Sequence, residues 1–101
     1  METSIVGFPL KITVNIPAAL RQYTRNNSEV GVDASTVDEV LEKLDLLFPG
    51  LRPFLLDESR GLRRYVNIFV NENDIRSGEG LRTKLKDGDH VHIIPAIAGG
   101  I

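Results

Sequence analysis

Thr36-Val37-Asp38-Glu39-Val40-Leu41-Glu42-Lys43-Leu44-Asp45-Leu46-Leu47-Phe48, followed by Pro49-Gly50, is the stretch on which the fold turns. Thr36 suits a helix N-cap, because its hydroxyl can accept a backbone N–H of the first turn. Glu39, three residues on, completes a capping box by reaching back to the cap. Asp38 and Glu39 place negative charge at the positive end of the helix dipole. Val37, Val40, Leu41, Leu44, Leu47 and Phe48 recur at the spacing of one apolar helical face. Pro49 and Gly50 stop the helix. One amphipathic helix is therefore predicted, with a single stripe that needs a surface to pack on.

That surface is predicted on both sides of it. Upstream, Leu10, Ile12, Val14 and Ile16 alternate with Lys11, Thr13 and Asn15, the period of a half-buried strand, and Pro17 ends it. Residues 23–29 are polar turn material, after which Val30 and Val32 mark a short strand able to pair with the first as a hairpin. Downstream, Pro53 can open a helical turn carrying Phe54, Leu55 and Leu56, with a turn over residues 57–61 behind it. Residues 64–71 are a clear strand, with Val66, Ile68 and Val70 on one side and Tyr65, Asn67 and Phe69 on the other. Residues 71–74 are a turn, and Ile75, Leu81 and Leu85 are apolar pegs in an otherwise polar connection. Asp87-Gly88-Asp89 is a tight turn, in which glycine supplies the geometry and aspartate bonds the nearby backbone. It leads into Val91, Ile93 and Pro95, alternating with His90, His92 and Ile94.

Strand, strand, helix, strand, connection, strand predicts an α+β domain with one main helix on one face of a mixed four- to five-stranded sheet. That is the element order of a β-grasp, or ubiquitin-like, fold. The likeness to that fold, rather than the bare pattern, implies that the first and last long strands lie side by side and parallel in mid-sheet. The organisation expected is a flexible segment over residues 1–8, a domain over 9–95 and a flexible tail over 96–101.

Composition limits the chemistry. The 101 residues suffice for one domain, and 42% apolar with 26% charged residues is ordinary for a globular chain. A net charge of -2 favours neither nucleic acid nor an anionic membrane. With no cysteine there is no disulfide, thiolate nucleophile or thiolate-bound metal. No apolar run is long enough to span a bilayer and no signal-like start is present, so a soluble, cytoplasmic protein is expected. Walker loops, triads and carboxylate dyads are missing from the sequence, which points to a carrier and substrate of enzymes rather than to an enzyme.

The end of the chain carries the chemistry. Asp87-Gly88-Asp89-His90-Val91-His92-Ile93-Ile94-Pro95-Ala96-Ile97-Ala98-Gly99-Gly100 resembles the closing motif of the MoaD/ThiS family of sulfur carriers: a DGD turn, an alternating strand, a proline, and a tail ending in Gly-Gly. The resemblance extends upstream through Tyr65-Val66-Asn67-Ile68-Phe69-Val70-Asn71 to the helix from Thr36. It implies that the Gly100 carboxylate is adenylated by a ubiquitin-activating-type enzyme using ATP and converted to a thiocarboxylate, with no cofactor bound to the carrier. Glycines suit such a tail because they lack a Cβ and let Ala98, Gly99 and Gly100 thread a channel. The residues from Ala96 to Gly100 reach roughly 17 Å when extended.

Ile101 follows the double glycine and places a β-branched side chain where the family ends in glycine. A precursor is expected, with Ile101 removed to expose Gly100 by a protease of the zinc-dependent JAMM type. Pro49-Gly50-Leu51-Arg52, Leu55-Leu56-Asp57-Glu58 and the run from Leu62 to Asn71 look most like the longer carriers of cysteine biosynthesis. There the acceptor is a cysteine-synthase-type enzyme, whose PLP-held serine derivative is attacked by the thiocarboxylate. Alternatives are the small subunit of molybdopterin synthase, working with its large subunit, and a ubiquitin-like modifier conjugated to lysines.

If the helix covers Val66, Ile68, Val70, Val91 and Ile93, the opposite face presents Tyr65, Phe69, His90, His92 and Ile94, a candidate docking face near the root of the tail. A loop over residues 51–62 or the N-terminal segment could instead cover it. His90 and His92 point the same way, but no third ligand is evident and no metal site is expected. Arg60, Arg63 and Arg64 form a basic cluster with Lys84 and Lys86 in composition only, read as a solvated face before a contact to an acidic partner.

Overall fold

The computed structural model describes residues 10–95; the N-terminal segment and the tail from Ala96 lie outside the described residues. Alternation makes the first hairpin. Strand β1 (Lys11–Asn15) pairs antiparallel with β2 (Glu29–Asp33), Ile12 opposite Val32 and Val14 opposite Val30. All of these side chains are buried, along with Ile16. Between the strands, Ala18–Tyr23 forms a 3-10 helix that buries Leu20, an element not assigned from the sequence.

Helix α1 (Val37–Leu47) crosses the sheet and is capped by Thr36, whose Oγ1 accepts from the Glu39 backbone N–H at 3.2 Å. The return half of the capping box differs from expectation. The Glu39 carboxylate accepts from the N–H and the Oγ–H of Ser35, at 2.6 and 2.8 Å, rather than from Thr36. The Thr36 hydroxyl is taken up by the Glu39 N–H, and Ser35 gives one carboxylate oxygen both its backbone N–H and its hydroxyl. Val37, Val40, Leu41, Leu44 and Phe48 are buried as predicted, but Leu47 is 49% exposed. At 3.6 residues per turn Leu47 falls roughly 20° outside the arc that Val40 and Leu41 bound. The 3-10 turn Pro49–Leu51, packed on the helix, buries Leu51 instead.

A single helical turn, α2 (Arg52–Leu55), contains Pro53 and sends Leu55 and Leu56 into the same core. Phe54 stays partly exposed, its ring 4.5 Å from that of Tyr23. Asp57 then closes the expected turn by accepting from Ser59 and Gly61. Strand β3 (Val66–Val70) is shorter than the sequence run, because Arg64 and Tyr65 lie in a turn. Asn73 and Asp74, expected in a turn, form a two-residue strand β4 against β3, reached through Asn71 at φ 56°. Asparagine tolerates that left-handed conformation, which turns the chain within two residues.

Strand β5 (His90–Pro95) occupies the middle of a five-stranded sheet of order β2-β1-β5-β3-β4. It runs parallel to β1 and antiparallel to β3. This is the β-grasp arrangement, and it buries Val66, Ile68, Val70, Val91 and Ile93 beneath α1 as expected. Ile75 and Leu85 are buried pegs and Leu81 packs at the core's margin. No helix among the described residues is long and apolar enough to cross a membrane.

Candidate functional site

The position of β5 is set at its start. Gly88, at φ 89°, lets the Asp87-Gly88-Asp89 turn fold tightly. The Asp87 Oδ1 accepts from the Lys11 N–H at 2.7 Å, and the Gly88 N–H donates to the Lys11 carbonyl at 2.9 Å. Asp89 ties both sides: its carbonyl accepts from the Thr13 N–H of β1, its Oδ1 from Asn71 Nδ2 at the end of β3, and its Oδ2 from the Lys86 N–H. Asn71 answers by accepting from the His90 N–H at 3.0 Å through its Oδ1. The turn bonds nearby backbone as expected, through the Lys86 N–H, and it also fastens β5 to the strands on both sides.

With that register held, the face opposite α1 is built in rows. Phe69 stands opposite His92 and Asn67 opposite Ile94 across β3 and β5. Thr13 and Asn15 of β1 pair with His90 and His92. The imidazoles of His90 and His92 stack with ring centroids 6.2 Å apart. His90 is exposed, His92 and Phe69 are half-buried, and Ile94 remains 46% exposed. Tyr65, 48% exposed, precedes the pair Val66–Pro95 at the end where the described chain stops. Every predicted docking residue thus lies on this face or at its tail end. The loop that could have covered it turns the other way: Leu51, Leu55 and Leu56 belong to the core under α1.

Residues not anticipated complete the face. Asn15 Oδ1 is buried without a hydrogen-bond partner beside the groove that Pro17, His92, Ile94 and Pro95 line. Thr13 and Asn15 were visible as the polar half of an alternating strand, but polarity alone does not say that such positions adjoin the last strand. Arg76 donates to Asn67 Oδ1 at 2.6 Å and to the Arg63 carbonyl at 2.8 Å. No sequence signal marks that contact, since it joins a loop residue to a strand through side-chain reach. Arg60 lines a groove beside α1 and Arg63 and Arg64 precede β3, whereas Lys84 and Lys86 adjoin the start of β5. Among the described residues no group of three or more His, Cys, Asp or Glu could hold a metal ion.

Gly100, with Ala98, Gly99 and Ile101, lies outside the described residues, so the site's geometry ends at Pro95, the last residue of the central strand. The ThiS family model matches residues 14–100, from β1 through the double glycine. The chain belongs to the ThiS family. Among ThiS-like proteins, the sulfur carrier protein CysO of Mycobacterium tuberculosis is 40% identical over 93 residues, spanning 90% of this chain and all of that protein. A crystal structure of the Amycolatopsis orientalis BexX/CysO complex contains a chain 37% identical to this one, with a TM-score of 0.82 over 88% of this chain and 99% of that one. The small archaeal modifier protein 1 of Methanosarcina acetivorans, solved in solution, is 33% identical with a TM-score of 0.79, over 93% of this chain and 100% of that one.

Proposed function

We propose that this ThiS-family chain is a sulfur carrier of the cysteine-forming type, acting through the carboxyl group of Gly100. The full-length likeness to a sulfur carrier protein carries this reading. A chain without cysteine needs a backbone group to bear sulfur, and the only such group free to react is a terminal carboxylate. Cleavage after Gly100 by a JAMM-type metalloprotease bares it. Attack of the carboxylate on the α-phosphorus of ATP, held by an activating enzyme, expels pyrophosphate and forms an acyl-adenylate. A sulfur donor then displaces AMP, leaving the thiocarboxylate, whose sulfur attacks a serine derivative held by a cysteine-synthase-type acceptor. A molybdopterin synthase large subunit is the alternative acceptor. The row of exposed His90 and Ile94 and half-buried Phe69 and His92, with Tyr65, supplies the docking face for these enzymes.

The test is a mass measurement. Chain ending at Gly100, incubated with the activating enzyme, ATP and sulfide, gains about 16 Da, the exchange of oxygen for sulfur. Replacing Gly99 by Val abolishes the gain, because a Cβ branch blocks a channel shaped for bare backbone. No gain with the wild-type tail, or full gain with Gly99→Val, overturns the proposal. A second reading, favoured by the match to a small archaeal modifier protein, transfers the same activated Gly100 to lysine amines. It predicts higher-mass conjugates in cells, lost when Gly100 is deleted.

A further inference from the structure

Strand directions place the root of the tail in particular company. Because β1 and β5 are parallel and β3 runs against them, the segment after β1, the end of β5 and the start of β3 share one end of the sheet. Arginines gather there from separate parts of the sequence. Arg21 lies beside β5, its Nε donating to the Ile16 carbonyl at 3.0 Å, and lines a groove with Ile94 and Pro95. Arg63 and the exposed Arg64 immediately precede Tyr65 and β3. Arg76 is brought in from beyond β4 by its bonds to Asn67 and the Arg63 carbonyl. Among the described residues none of these guanidinium groups forms an ion pair with a carboxylate. Carboxylates near these arginines include Glu29, at the start of the edge strand β2, Asp74, which accepts from the Arg76 backbone N–H, the exposed Glu58, and Asp57, which is engaged by Ser59 and Gly61 and interacts with the charge of Arg63. A chain of net charge -2 therefore carries a local positive collar around the point where its tail begins.

We infer that this collar of Arg21, Arg63, Arg64 and Arg76 docks on a protein surface lined with carboxylates around the mouth of the channel that takes the tail. The inference rests on the proposed carrier function and adds the chemistry of the partner's rim. Guanidinium groups match carboxylates with paired N–H donors, and opposite potentials steer encounter before close contacts form. An overall negative chain with a few local arginines suits a small acidic rim better than a nucleic-acid polyanion, which would also meet the rest of the surface. The opposite end of β5 supplies an internal control. Lys84 and Lys86 adjoin the Asp87 turn, and the length of β5 separates them from Pro95 by roughly 17 Å at about 3.3 Å per residue. That is about two screening lengths at physiological salt, so charge there barely reaches the collar.

Arg64→Glu and Arg76→Glu are compared with Lys84→Glu and Lys86→Glu, each with the same change in net charge, for the rate of pyrophosphate exchange by the activating enzyme at low carrier concentration. The collar variants are expected to lower kcat/KM roughly tenfold at about 0.15 M salt, with the difference closing near about 1 M, while the lysine variants change it less than about twofold. Arg64→Lys keeps most of the rate. Because Arg76 also holds Asn67, its variant is read beside its melting temperature, and Arg64→Glu, which breaks no hydrogen bond among the described residues, decides the matter. Equal effects at both ends, or none at Arg64, overturn the inference while leaving the carrier function standing. All are made as chains ending at Gly100, and absence of exchange with the otherwise wild-type chain overturns both. Binding of a short RNA that Arg64→Glu removes assigns the collar to nucleic acid and also overturns it.

Discussion

The Lys11 backbone N–H donates to Asp87 Oδ1 at 2.7 Å, joining residues 76 positions apart across the start of the parallel pair β1 and β5. Parallel neighbours cannot be linked by a short hairpin, so their register depends on contacts made by side chains and turns at the strand ends. Here Asp87, Gly88, Asp89 and Asn71 make those contacts, and the central strand that leads to Pro95 inherits its position from them.

Removing that acceptor should therefore loosen the fold without touching the face. Asp87→Ala is expected to cost about 1–2 kcal/mol, the loss of a charge-assisted hydrogen bond near the surface, with Asp87→Asn costing less. Urea midpoints at unchanged slope measure the cost, and faster exchange of the Lys11 amide proton localises it. Activation of the folded variant by the adenylating enzyme should match wild type, since the turn lies at the far end of β5 from the tail.

Helix α1 separates two leucines by the face on which each stands. Leu44 is 1% exposed and Leu46 is 78% exposed. Leu44→Ala is expected to cost about 2–5 kcal/mol through lost burial and the cavity left behind, and Leu46→Ala less than about 0.5 kcal/mol. Chemical denaturation of the pair checks this, and a large loss at Leu46 would mean that its side chain is covered.

Most of the fold was legible because its signals are local and periodic. The alternation around Ile12, Val14, Ile68 and Ile93 and the stripe from Val37 to Leu44 depend only on which side of an element faces the core. Leu47 was misjudged because periodicity places a residue on an arc but not where the packing surface ends. Asn73 and Asp74 read as a turn in the sequence because two residues are too few to show alternation. The residues of the face opposite α1 were legible once the helix side of the sheet was known, since the odd and even positions of a strand divide cleanly. What stayed hidden was assembly between distant segments: Asp87 with Lys11, Asp89 with Asn71, and Arg76 with Asn67. Each depends on sheet order, to which polar residues leave no trace in the sequence.

Acid should weaken the molecule through carboxylates that already hold hydrogen bonds. The Ser35 backbone N–H, with its hydroxyl, holds Glu39 below the ordinary carboxylate range. The Ser59 hydroxyl, with the Gly61 N–H, does the same for Asp57. A lowered value in the folded state means that the unfolded chain binds protons first, so these groups stabilise above the ordinary range and the contribution is lost as pH falls through it. Urea midpoints recorded from about pH 6 down to about pH 3 are expected to fall below about pH 4. Glu39→Gln and Asp57→Asn should flatten that fall while starting from a lower midpoint. A profile as steep in the double variant as in wild type would place the acid sensitivity elsewhere.

Phe69 offers the sharpest test of the open face, because it sits in the row opposite His92 yet belongs to neither the core beneath α1 nor the turn that holds β5. Aromatic side chains at the centre of an interface carry a disproportionate share of binding energy, and truncating one typically costs more than about 1 kcal/mol. Phe69→Ala is therefore expected to lower kcat/KM for activation by roughly tenfold, with kcat at saturating carrier nearly unchanged, since the tail and its glycines remain intact. A parallel melting curve separates docking from folding: a half-buried ring on the solvent side should shift the midpoint by only a few degrees. Should kcat/KM stay at the wild-type value in a folded variant, the enzymes must approach by another surface. The arginines around Pro95 would then have to steer the tail without help from the row of Phe69, His92 and Ile94.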